Sequence, residues 1–169
     1  MASSTWALLI ALAFGGGAST ITHFEDRMPA YSEEGMDCIR TWKQGADWHG
    51  RNLAGQRIER IDLRSANLRG ADLHGASLFC VNLGNADLSG ADLSGAKLTG
   101  VDLSGVTLRG ARLDGTRFTG VDFTGASLDG SHLHQTEFVG CDFSGVDLRH
   151  LDTAQMRMTG IDLRGAILP

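Results

Sequence analysis

From Ala46 to Pro169 the chain divides into fives without one slip of register: ADWHG RNLAG QRIER IDLRS ANLRG ADLHG and onward to AILP. The middle residue of each five runs from Trp48 through Leu53, Ile58 and Leu63 to Leu168. It is large and apolar in 24 of 25 cases, Thr153 being the exception. Two residues earlier stands a small or β-branched residue, and the fifth position is Gly in 17 of 24 complete repeats. Period five fits neither the 3.6-residue helix nor the two-residue strand. It fits a chain that turns a corner every five residues, directing the small and the large apolar residue inward and the other three outward.

A second period counts the corners in each coil. Ile61, Val81, Val101, Val121, Cys141 and Ile161 recur at twenty-residue steps, while the neighbouring column Ala66, Ala86, Val106, Ala126, Val146 and Ala166 is smaller throughout. Phe118 recurs as Phe138 and Phe123 as Phe143. Four pentapeptides per coil are therefore expected, residues twenty apart stacking at the parallel-strand spacing of ~4.8 Å. The expected fold is an all-β solenoid, a right-handed four-sided parallel β-helix of about six coils. With 23 glycines but 2 prolines and 42% hydrophobic residues, the chain is too apolar for disorder and lacks the every-third-glycine of collagen.

The A[DN]LxG pattern, as in Ala86-Asp87-Leu88-Ser89-Gly90 and Ala91-Asp92-Leu93-Ser94-Gly95, resembles the pentapeptide repeat family over about three quarters of the chain. The resemblance implies the four-sided β-helix. For function it implies less, because the family includes DNA-mimicking gyrase protectors beside many members with no assigned role. The C-terminal helix through which some members dimerise has no counterpart here. The final coil, with Leu151, Met156, Met158 and Ile161 inward and Ile167 and Leu168 at its end, is then either sealed by its own bulk or docked on another protein.

Residues 1–22 are read as a hydrophobic segment. No charge falls between Thr5 and Ile21, and Trp6, Leu8, Leu9, Ile10, Leu12 and Phe14 make its first half strongly apolar. As helix this stretch spans ~25 Å against a hydrocarbon thickness of ~30 Å. A membrane anchor and a cleaved secretory signal both stand open: Gly17, Ala18 and Ser19 suit a cleavage site, but no Lys or Arg precedes the apolar core. Either places the solenoid on the non-cytoplasmic side, periplasmic or lumenal, as do the following Glu25, Asp26, Glu33 and Glu34. Residues 23–45 are read as a linker and a short capping helix over 33–44. Ser32 caps it, Met36, Ile39 and Trp42 share a side, and Gly45 stops it. Such a helix covers the open end of the solenoid at 46–169.

Catalytic motifs are missing from the pattern, and the corner positions account for the glycines, so no enzyme activity and no cofactor are expected. His132 and His134 share an outward face with Asp114 and Asp152 one coil away, a weak candidate for a surface metal site. Cys141 replaces Val in an inward column and reads as buried filler, whereas Cys80 at a corner and Cys38 in the cap could pair after export. The outward column Asp62, Asn82, Asp102, Asp122, Asp142 and Asp162 is expected to bond corner amides. Its sharper reading is DNA mimicry, hence regulation of a type II topoisomerase. Residues 46–169 hold 15 acidic and 12 basic side chains, a mixture that interrupts a DNA-like potential, and a net charge of −5 argues against binding nucleic acid. Phe79 and Val139 share an outward column with Thr99, Thr119 and Thr159, a surface suited to protein contact. The expected role is a non-catalytic scaffold, tethered to a membrane as an accessory subunit of a larger complex, with another protein as its partner.

Overall fold

The computed structural model describes residues 41–151 and 155–168, and among them the backbone is all strand, bridge and turn. Thr41–Trp42 (β1) pairs in parallel with Ile61–Asp62 (β3). Arg57–Glu59 (β2), Ser77–Phe79 (β4), Lys97–Thr99 (β5), Arg117–Thr119 (β6), Glu137–Val139 (β7) and Arg157–Thr159 (β8) form one six-stranded parallel sheet in the order β2-β4-β5-β6-β7-β8. Every partner lies twenty residues away, as in Ile58 with Leu78 and Leu98 with Phe118. The other three walls carry single parallel bridges with the same twenty-residue offset, for example Asp102 with Asp122, Asn67 with Asp87 and Asp72 with Asp92. The four-sided parallel solenoid read from the sequence is thus present. From β2 to β8 the six rungs enclose about five turns, one fewer than expected.

One repeat shows why five residues suffice for a side. Leu68 donates its N–H to Asp87 O in the next coil at 2.7 Å, and Gly70 donates to Ser89 O at 3.0 Å. Ala71 N–H closes the corner onto Leu68 O at 3.0 Å. The corner needs one residue in the left-handed region, with Gly70 at φ 60°. Where glycine is absent, Arg60, Ser65, Cys80, Asn85 and Gln135 take that conformation themselves, at φ between 52° and 58°. A purely local cost is accepted because the corner amides on both sides are already bonded.

Inward positions are filled as the periodicity requires. Leu53, Leu63, Leu68, Leu88 and their later counterparts as far as Leu148 are buried, with Ala66, Ala86 and Val106 between them. Phe118 stacks on Phe138 with centroids 5.0 Å apart and Phe123 on Phe143 at 4.8 Å, while Phe123 meets Phe138 edge-on at 5.7 Å. Thr116 and Thr136 also point inward, and their hydroxyls donate to Leu93 O at 2.7 Å and Leu113 O at 2.8 Å, so neither is left unpaired in the core.

One expectation about the N-terminal end changes. The capping helix over 33–44 meets the described residues only at 41–44, and these are strand and turn. Their backbone already follows the coil, Lys43 N–H reaching Asp62 O at 2.7 Å and Gly45 N–H reaching Arg64 O at 2.8 Å. The rest of that helix, and the apolar residues Trp6 to Phe14, lie outside the described residues. Among the described residues, no helix is long and apolar enough to cross a membrane.

Because Phe138 is fully buried against one stacked ring, Phe118, and two edge-on ones, Phe123 and Phe143, Phe138→Ala is expected to cost about 3–5 kcal/mol. Denaturant unfolding of the variant against the parent chain measures it.

Candidate interaction face

The six-stranded wall presents two outward columns. The first is Arg57, Ser77, Lys97, Arg117, Glu137 and Arg157; the second is Glu59, Phe79, Thr99, Thr119, Val139 and Thr159. The residue between each pair points into the core, which fixes the two columns outward. Phe79 is 41% exposed on the second strand of this wall, and Val139 is half-buried on the same column. Arg57 pairs with Glu59, and Arg117 pairs with Glu137 at 2.6 Å. Four cations against two carboxylates leave the wall positive on a chain of net charge −5.

The adjacent wall is acidic and mostly committed to structure. Oδ1 of Asp62, Asp102, Asp122, Asp142 and Asp162 each accepts the N–H two residues on, from Arg64, Ser104, Thr124, Ser144 and Arg164 at 2.8–3.0 Å, as expected. Arg64 also pairs with Asp62 at 2.8 Å and Arg164 with Asp162 at 2.7 Å; on the next wall Arg149 pairs with Asp147 at 2.7 Å. These pairs were legible as Asp-Leu-Arg triplets, since residues two apart on a strand share a face, but the column reading passed over them. Asp62 is only 1% exposed. Burial pushes its carboxyl up, but hydrogen bonds from the Arg64 side chain and backbone and from Gln44 outweigh burial and hold it below the ordinary carboxylate range. Arg149 holds the exposed Asp147 down to about 2.

The histidine cluster is looser. His132 and His134 are exposed, and His134 N–H donates to Asp114 Oδ1 one coil away at 3.0 Å. His132 stands where other repeats carry the Asp or Asn that accepts this amide, so Asp114 supplies the missing acceptor. With Ser131, Leu133 and Gln155 these residues line a groove of about 190 Å³. Among the described residues no group of three His, Cys, Asp or Glu is placed to hold a metal; Asp152 lies outside them. Ile167 and Leu168 are exposed at 46% and 54%, while Met156, Met158 and Ile161 are half-buried. Cys141 is buried and free; its Sγ donates to Val139 O at 3.6 Å, and burial raises its thiol. Cys80 is disulfide-bonded. The third cysteine of the chain, Cys38, lies outside the described residues.

A profile of pentapeptide repeats matches the chain in eight copies, over residues 52–83, 76–115, 86–125, 116–152 and 126–168. Among solved structures, a pentapeptide repeat protein from the thylakoid lumen of Arabidopsis thaliana is 36% identical, with 57% of this chain and 67% of that one covered and a TM-score of 0.55. A pentapeptide repeat protein from the cyanobacterium Cyanothece is 24% identical over 76% of this chain and 88% of its own, at a TM-score of 0.41. A plasmid-mediated fluoroquinolone resistance protein is 20% identical over 78% of this chain and 91% of its own, at 0.43. No curated protein matches.

Asp62, Asp147 and Asp162 have lowered folded pKa values. Their charged forms therefore support the fold above the ordinary carboxylate range near ~3.9, and that support is lost as pH falls through the folded values. The thermal midpoint is expected to be level from about pH 5 upward and to fall between about pH 4 and 2. Melting followed by circular dichroism across that range measures it.

Proposed function

The chain belongs to the pentapeptide repeat family, and on that premise we propose that it is a non-catalytic scaffold outside the cytoplasm, held at a membrane or exported by its apolar N-terminal segment. Its six-stranded wall around Phe79 contacts another protein. The observation that carries this reading is the division of labour among outward side chains. The aspartates secure corner amides and guanidinium groups, whereas Phe79 has no such structural task and stands exposed. An exposed aromatic flanked by Glu59, Ser77 and Thr99 on a flat sheet has the make-up of a protein-contact anchor.

Two observations support the compartment. Cys80 is disulfide-bonded, and such bonds persist in oxidising compartments. The 36% identical relative comes from the thylakoid lumen. Anchoring by residues 5–21 rests on their uncharged, apolar sequence.

Intact mass tests the tether. Protein extracted from membranes with mild detergent is expected at 18.0 kDa. A soluble product short by roughly 2 kDa identifies a cleaved signal instead. A cytoplasmic soluble chain retaining its first residues overturns both. The cysteines give a separate check: the native, unreduced protein is expected to resist alkylation, and to gain label only after reduction and unfolding.

A further inference from the structure

We infer that the partner of the six-stranded wall is the same wall of a second copy, related by a two-fold axis running along the rod. This rests on reading that wall as a contact surface and names what it contacts. An axis along the rod exchanges the two outward columns while keeping each rung level. Arg57 then faces Glu59 of the second copy, Ser77 faces Phe79, and Lys97, Arg117 and Arg157 face Thr99, Thr119 and Thr159. Glu137 faces Val139. No cation meets a cation, and no carboxylate meets a carboxylate.

The alternative two-fold, perpendicular to the rod, sets the first column against itself in reverse order. Arg57 then opposes Arg157 and Lys97 opposes Arg117, like charges that disfavour contact. Charge therefore selects the parallel pairing. The same axis places the two Phe79 rings on one rung, each beside a Ser77 small enough to leave room, so the exposed aromatic of each copy is covered by the other. The alkyl stems of Lys97, Arg117 and Arg157 lie over threonine methyl groups and keep their charged ends at the rim. Six rungs at ~4.8 Å make a contact over 20 Å long. An isologous pair of this kind closes on itself without leaving a wall open to further copies. It also sets the Thr41 ends of both rods on one side, which suits two chains tethered to one membrane.

The full chain in mild detergent, followed by sedimentation and native mass, gives the test. A dimer is expected to dissociate on dilution, and Phe79→Asp to be monomeric with an unchanged thermal midpoint. Thr99 faces Lys97 of the other copy, so Thr99→Glu is expected to tighten the dimer and Thr99→Lys to weaken it. The shift in Kd is roughly two- to thirtyfold in each direction for two symmetric pairs. A chain monomeric at roughly 100 µM, a dimer indifferent to Phe79→Asp, or Thr99 variants that move Kd the same way each overturn the inference. If the chain is monomeric but Phe79→Asp still removes proteins that co-purify with it, the contact surface stands and only the second copy is excluded.

Discussion

A parallel ladder with a fixed twenty-residue offset is the constraint from which the rest of this structure follows. Each coil must present its N–H and C=O groups at the heights where the next coil can meet them, because a buried backbone group without a partner is costly. Leu68 reaching Asp87 O, and Asp87 reaching back to Ala66 O, show one coil bonded to the next from both sides. An insertion of even one residue would misalign every later rung. This is why the register runs unbroken from Ala46 to Pro169, and why non-glycine residues such as Asn85 and Cys80 accept left-handed corners in preference to a shift.

The same constraint divides the side chains into three groups. Inward residues see identical neighbours above and below, so Phe118 stacks on Phe138 and Phe123 on Phe143 almost face to face, at interplanar angles of 5° and 8°. Aspartates and asparagines at the second place of the repeat serve the backbone, taking the amide two residues on, as Asp92 takes Ser94 N–H at 2.9 Å. Only what remains is free for recognition. On the six-stranded wall, whose outward residues are Arg, Lys, Glu, Thr, Ser, Val and Phe instead of Asp-x-Ser, that remainder is large and continuous.

Much of this was legible because a repeat converts sequence position into spatial position. His132 and Asp114 were placed as neighbours one coil apart, and the structure brings Asp114 to the His134 amide. Asp62 was read as one more member of an outward column. It is nearly fully buried because the segment before Ala46 has already joined the coil and lays Gln44 against it, at 2.8 Å. That segment carries no A[DN]LxG motif, so its residues were read by helix rules, through Ser32, Trp42 and Gly45, and the pairing of Thr41 with Ile61 passed unseen.

By itself the sequence determined the period, the four walls, the occupants of the core and the identity of each outward column. Local geometry repeated every five residues leaves the backbone no other way to satisfy its hydrogen bonds. Tertiary structure decided what contact and burial require: that one wall is a six-stranded sheet while the others, the β1–β3 pair apart, carry single bridges, that Arg64 and Arg164 neutralise their neighbours, and that Phe79 stays exposed while Asp62 does not. Those outcomes depend on which side chains from other coils arrive beside each position, and a repeating pattern read along the chain does not contain that information.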